Sequence, residues 1–220
     1  MTTNASTTQH HDADERLRLE FNDWAKAGRG EGMEKGHRPA GEQAIALMNI
    51  SPGARVLDVG CGSGWATRLL TEQAAQVSAV GIDISDGMVK LAQVSTSADN
   101  ATFRVATAEK LPFADGEFSD AFSMESLYYY QDMLSALREI KRVLRPGGQF
   151  VSVMDLYQEN EPSHQWVSQL KVPVQLSAPR SITNCLNRQA LLTSAIDASM
   201  IRPLCRRITA AGRLKRATIS

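Results

Sequence analysis

Apolar positions along this chain change their spacing several times, and each change predicts an element. Leu17, Phe21 and Trp24 recur at helical spacing, which predicts a helix over Asp14–Ala27 with one apolar stripe. Residues 1–13 are mostly Thr, Asn, Ser, Gln and His and read as a disordered tail. Gly28–Gly36 holds four glycines among charges and reads as a flexible connection. Pro39–Met48 reads as a second helix with proline near its first turn. From Arg55 onward, short apolar runs alternate with helical patterns. The strands are Arg55–Val59, Val77–Ile82, Thr102–Ala106, Ser119–Met124 and Gln149–Met154. The helices between them are Gly64–Ala75, Asp86–Val94 and Gln131–Leu144, the last with Leu134, Leu137, Ile140 and Leu144 on one face. This alternation predicts an α/β fold: a doubly wound, mostly parallel sheet with helices on both faces.

The pattern then breaks. Asp155–Cys185 carries Pro162, Pro173 and Pro179 around Trp166, and it leaves the ligand-binding rim just past the fifth strand. It is expected to line a substrate pocket. The organisation expected is a single domain over 14–220: lid helices (14–50), a ligand-binding core (51–154) and a substrate-side insertion with the carboxyl end (155–220).

Composition narrows the function classes. A chain of 220 residues with 43% hydrophobic and 22% charged residues is ordinary for a soluble globular domain. The formal net charge of zero argues against a nucleic-acid partner held mainly through phosphate neutralisation. Cys61, Cys185 and Cys205 are too few and too scattered for a disulfide framework or a zinc site, so no metal is expected. No apolar run is long enough to span a membrane, and the first dozen residues hold no signal-peptide core. The cytoplasm is the simplest compartment.

The chemistry concentrates in Val56-Leu57-Asp58-Val59-Gly60-Cys61-Gly62-Ser63-Gly64, an apolar strand running into three alternating glycines. Some twenty residues later Gly81-Ile82-Asp83-Ile84 ends a second apolar run with an acid. Glycine lets backbone approach a ligand closely, and an acid at that spacing accepts from ribose hydroxyls. A dinucleotide site usually reads G-x-G-x-x-G and aims a helix amino terminus at a pyrophosphate. Here the run is G-x-G-x-G, and Asp58 precedes the turn. A carboxylate there repels a pyrophosphate and suits a ligand bearing positive charge.

On these residues Val56–Gly64 resembles the first motif of class I S-adenosylmethionine-dependent methyltransferases. Gly81–Met88 resembles the second-strand acid with the start of its helix. Ala108–Phe113 followed by Phe118–Asp120 resembles the loop and fourth strand, and Leu144–Gly148 the turn before the fifth strand. The matched region runs from about Pro52 to Met154. Its Leu-Pro-Phe and Arg-Pro-Gly-Gly elements lean toward small-molecule enzymes of the quinone-biosynthesis type.

The resemblance implies a Rossmann-like fold with an amino-terminal lid, S-adenosyl-L-methionine as cofactor, and in-line methyl transfer to an O, N or C nucleophile of a small molecule. It places Gly60, Cys61, Gly62 and Gly64 beside the methionine half and Asp58 near its ammonium, unless Asp58 caps the turn amides instead. Cys61 itself reads best as a small filler. Asp83 is placed on the ribose, with helix capping as the alternative, although Ser85 or Asp86 could supply that cap. Ile84 and Met88 would press on the adenine. Thr107, Ala108 and Glu109 stand where relatives often have Asp-Ala-Glu, so the adenine amino group would meet a hydroxyl rather than a carboxylate. Ser123, Met124 and Glu125 would offer backbone to the methionine part. The general base is not identified. His37, Tyr128, Tyr129 and His164 are candidates, each with a packing role as the alternative. A non-catalytic cofactor-binding protein and a nicotinamide-dependent oxidoreductase are the rival functions.

The carboxyl end departs from the pattern. The family sheet finishes with a hairpin whose last strand is antiparallel and buried, and such a strand reads as a nearly continuous apolar run. After Met200 six basic residues, from Arg202 to Arg216, interrupt any such run. Leu204–Thr209 could form one strand. Leu214–Ile219 is a poor candidate for the buried one, so the last strand is expected to be short, frayed or missing.

Overall fold

The computed structural model describes residues 3–177 and 204–205, with side chains over 12–177. Its sheet runs in the order β3-β2-β1-β4-β5-β6, and every described pairing is parallel. The strands are β1 Arg55–Val59, β2 Ser78–Asp83, β3 Ala101–Val105, β4 Phe118–Met124, β5 Leu144–Met154 and β6 Leu204–Cys205. The order reverses between β1 and β4, and open α/β sheets bind ligands at that switch point, outside the carboxyl strand ends.

Burial on both faces explains the continuous apolar strands. Leu57, Val59 and Ile82 join one cluster with Leu137 and Ile140 of α5 (Met133–Val143). Val56, Ala79, Phe122 and Val153 join another with Ile45 of α2 (Arg29–Leu47) and Leu70 of α3 (Trp65–Thr71). In a third cluster Val89 and Ala92 of α4 (Asp86–Val94) meet Phe103 and Cys61.

Three boundaries differ from expectation by five residues or more. The first helix, α1, spans Thr3–Lys26 rather than starting at Asp14. No Gly or Pro occurs in residues 1–27 to stop the helix anchored by Leu17 from extending toward the amino end. The expected flexible stretch Gly28–Gly36 is instead the first half of α2, which carries Pro39 inside it. Tertiary contact explains two of its glycines, Gly30 and Gly41. A Cβ on Gly30 would crowd Leu91 Cδ2 at 3.0 Å, and one on Gly41 would overlap the Trp65 ring, so the helix backbone lies close against both neighbours. Finally, β5 begins at Leu144 because Leu144 pairs with Phe118 before the register shifts and resumes at Asp120 with Gln149. Arg145-Pro146-Gly147-Gly148 is therefore an excursion within the strand, with Gly147 at φ 78°.

At the carboxyl end Leu204 and Cys205 pair in parallel with Val153 and Met154. The expectation for Leu214–Ile219, and Cys185 with it, lies outside the described residues. No described helix is long and apolar enough to cross a membrane.

Candidate active site

Above the carboxyl ends of β1, β2 and β4 lies a cavity of about 460 Å³, within the range of small-molecule sites. Its floor is the turn after β1. Gly60 and Gly62 sit at φ 76° and 51°, a region where a side chain is strained. A Cβ on Gly60 would lie 2.5 Å from Ser126 Cβ, whereas a Cβ on Gly62 would meet nothing within 4 Å. Gly60 thus serves close packing beneath the site, and Gly62 leaves backbone open to it. Gly64 does not line the cavity. It lies under Phe103 and Ala92, where α3 starts, and serves packing. Cys61 lines the cavity but also joins the Val89–Phe103 cluster, and burial pushes its thiol well up.

Two buried carboxylates face this turn. Asp83 accepts from Gly62 N and from Ser85 N, each at 2.9 Å, so it ties the turn to the entrance of α4. The α4 cap is Ser85, whose hydroxyl accepts from Met88 N at 3.0 Å. Asp58 accepts from Thr67 Oγ1 at 2.6 Å rather than capping the turn amides by side chain. Burial raises Asp58 to about 7; the Thr67 bond opposes the rise and the charge of Asp83 adds to it. Burial likewise raises Asp83 to about 6, against the backbone amides that favour its charge. No described Lys, Arg or His forms an ion pair with either group. Two desolvated acids without a counter-cation make a receptor suited to a positively charged ligand.

The remaining expected residues sort by element. Ile84 and the fully buried Met88 line the cavity from the β2–α4 side. Thr107, Ala108 and Glu109 line it from the loop after β3, and burial raises the Glu109 carboxyl. That loop is pinned from behind. Arg142 donates to the carbonyls of Phe113 and Leu111, at 2.8 and 3.0 Å, while Glu139 accepts from Leu111 N. Met124 and Glu125 line the cavity after β4, but Ser123 does not; its hydroxyl is buried 2.5 Å from Ser126 Oγ.

The opposite wall comes from distant segments. Leu17, Phe21 and Trp24 of α1 face the cavity, and Leu17 is also core, so the helix both packs and encloses. His37 of α2 lines it too, and burial lowers its basicity while Asp155 opposes the shift. Tyr128, Tyr129 and Tyr130 are all buried and all line the cavity, because a tight 3-10 turn over Leu127–Tyr129 fans them apart. His164 does not line it; its ring nitrogen lies 3.0 Å from the Tyr157 carbonyl.

Sequence reasoning missed two supports. Ser126 donates to Val59 O at 3.0 Å and lies 2.7 Å from the Tyr130 hydroxyl, joining the β1 and β4 ends. Asn22 accepts from Ser85 Oγ and Gly87 N, at 2.6 and 2.9 Å, and donates to Asp86, which fastens α1 to the start of α4. Neither role carries a local signal, since Val59 lies 67 residues from Ser126 and Gly87 lies 65 residues from Asn22. Among the described residues no group of three or more His, Cys, Asp or Glu could hold a metal ion.

Comparison with known proteins agrees with this geometry. The family model described as a methyltransferase domain matches residues 57–152. The chain is 42% identical to the O-methyltransferase rstn1 of Aspergillus nomiae over 48% of each chain. It is 34% identical to demethylmenaquinone methyltransferase of Lactiplantibacillus plantarum, over 63% of this chain and 62% of that one. The chain spans about half the length of the Aspergillus O-methyltransferases it matches. Among solved structures, the protein in complex with the Haloferax volcanii Trm112 methyltransferase activator is similar at 34% identity and TM-score 0.74, over 77% of this chain and 75% of that one. The relative covered over three quarters of its length, the matching domain model and the switch-point cavity converge: the chain belongs to the class I S-adenosylmethionine-dependent methyltransferases.

Proposed function

We propose that the protein transfers a methyl group from S-adenosylmethionine to a small, largely apolar acceptor, with a hydroxyl oxygen as the favoured nucleophile. The observation that carries this reading is the pair of buried, cation-free carboxylates Asp58 and Asp83 beside the open backbone of Gly62. The cofactor carries ammonium and sulfonium charge and a ribose, which this donor set fits. Asp58 acts on the ammonium through the local field, and Asp83 accepts from the ribose with lone pairs that the Gly62 and Ser85 amides leave free. Ile84 and Met88 pack on the adenine, and Thr107 receives its amino group. Glu109 and Met124 close the same side. When bound, the cofactor supplies an electrophilic methyl group and a neutral thioether leaving group. The protein's own task is alignment and exclusion of water, which α1, α2 and residues 155–177 perform as the acceptor side. The O-methyltransferase names of several relatives support oxygen as the acceptor atom. A cytoplasmic location is part of the same proposal.

Calorimetry tests the cofactor: S-adenosylmethionine and S-adenosylhomocysteine bind, and NAD does not. Labelled donor mixed with fractionated small-molecule extract then yields a labelled product. Binding without any product makes the protein a cofactor-binding protein only, and NAD binding without the adenosyl compounds overturns the assignment.

A further inference from the structure

We propose that Tyr128 and Glu125 form a proton relay at the acceptor end of the cavity, and that the acceptor it serves is a phenol-like hydroxyl lying against the aromatic wall of Phe21, Trp24 and Tyr129. The inference rests on the methyl-transfer reading above and adds to it the substrate class and the residues that take the proton.

The geometry starts at Glu125, the residue that leaves β4 with φ 53°, a left-handed conformation uncommon for a side chain. Two bonds hold its carboxylate. Oε1 accepts from Asp155 N at 2.6 Å, and Oε2 accepts from the Tyr128 hydroxyl at 3.0 Å. Both donors are neutral, and no described cation pairs with Glu125. The carboxylate is thus fixed, desolvated and able to accept a proton. Tyr128 donates to it and interacts with the neighbouring Tyr129 hydroxyl, while both rings line the cavity. Burial raises Glu125 to about 7, against the opposing Tyr128 and Asp155 bonds. The other titratable groups facing this corner are His37 from α2, Asp155 after β5, and Glu20 of α1, which acts on Tyr129.

The acceptor class follows from two constraints. The wall is aromatic: Phe21 meets Tyr129 and Trp24 edge to face, each at 5.1 Å between ring centroids. Such a wall favours a flat apolar ligand. A proton acceptor near neutrality is matched to a hydroxyl as acidic as a phenol, near pKa ~10 as in tyrosine, and poorly matched to a far less acidic aliphatic alcohol. A carboxylic acid would need no base. In the step itself the acceptor O–H donates to Tyr128 Oη as the Tyr128 proton passes to Glu125. The acceptor oxygen's electron pair forms the bond to the methyl carbon of the sulfonium donor, and the carbon–sulfur pair leaves on sulfur. The proton departs from Glu125 to solvent after turnover.

The test uses the whole chain saturated with S-adenosylhomocysteine and two probes, para-nitrophenol and para-cresol. Calorimetry in buffers of different ionisation enthalpy counts protons. Binding para-nitrophenolate against Tyr128 should take up about one proton, because two anions that share one hydroxyl donor do not both stay ionised. Glu125→Gln should abolish that uptake and Tyr128→Phe should reduce it, each with an unchanged circular dichroism spectrum. With labelled donor, both variants should lose roughly 100-fold in rate on para-cresol but less than about tenfold on the already acidic para-nitrophenol. Proton uptake that persists in Glu125→Gln, or that disappears in His37→Gln instead, overturns the relay. Failure of both phenols to bind while S-adenosylhomocysteine binds overturns the acceptor class alone. Failure of S-adenosylhomocysteine to bind overturns the methyl-transfer reading beneath it.

Discussion

The two ends of the cavity are built in opposite ways. The end proposed for the cofactor takes its turn and two acids from residues 58–88, one strand–turn–helix–strand–helix unit, and its hydrogen bonds are donated by backbone: Gly60 N and Cys61 N to Ile82 O, Gly62 N and Ser85 N to Asp83. The end proposed for the acceptor draws on α1, α2, the Tyr128–Tyr130 turn and the segment after β5, and its contacts are ring edges and side-chain hydroxyls. A backbone-bonded turn tolerates little change, because each donor and acceptor is committed. A wall of packed rings accepts other rings of similar size. The contrast shows why a shared cofactor turn coexists with an acceptor pocket that must be read residue by residue.

The largest effect should come from breaking the committed end. Gly60→Ala places a methyl 2.5 Å from Ser126 Cβ at a backbone φ of 76°. Left-handed strain of roughly 1–2 kcal/mol and overpacking of roughly 1–3 kcal/mol act together. Urea denaturation should show a destabilisation of about 2–5 kcal/mol, and cofactor binding should fall with it. Wild-type stability in that variant would mean that β1 and β4 are not in contact through this turn.

The next effect sharpens the electrostatic side of the comparison. Asp58 and Asp83, raised to about 7 and about 6, hold their protons more tightly in the folded state than in the unfolded chain. The folded protein therefore binds more protons between about pH 4 and about pH 7, and its stability falls as pH rises through that window. Cofactor affinity runs the other way, tightening as the carboxylates ionise. Thermal melts and calorimetry from about pH 5 to about pH 8 should show these opposing slopes, and Asp83→Asn should flatten both while weakening the cofactor by roughly 1–3 kcal/mol.

The smallest effect separates a buried latch from a surface ion pair at one location. Asn22→Ala removes the cap from Ser85 and Gly87 and should cost about 1 kcal/mol, read as a lower urea midpoint. Arg18→Ala removes the neighbouring exposed contact to Asp86 and should leave the midpoint where it was. Equal losses in the two variants would mean that α1 is held by charge rather than by the cap.

By itself the sequence determined the sheet, the glycine turn and the two acids. Strand periodicity, a Gly-x-Gly-x-Gly run and an acid some twenty residues on are local facts, and the right-handed crossover leaves one arrangement for them. It also marked most of the cavity floor, since Asp58, Gly62, Asp83 and Met88 come from that one unit. Tertiary structure decided the rest. Gly30 reads as part of a flexible connection and is helical, packed against Leu91 where a side chain would be crowded. Ser123 and His164 resemble site residues, and they turn to Ser126 and to the Tyr157 carbonyl instead. Asn22 and Ser126 have no local signature, because each satisfies polar groups that the chain brings near only after the sheet has formed. Propensity and spacing act over a turn or a strand, whereas the pairing of a buried donor with its acceptor is settled by which elements the fold presses together.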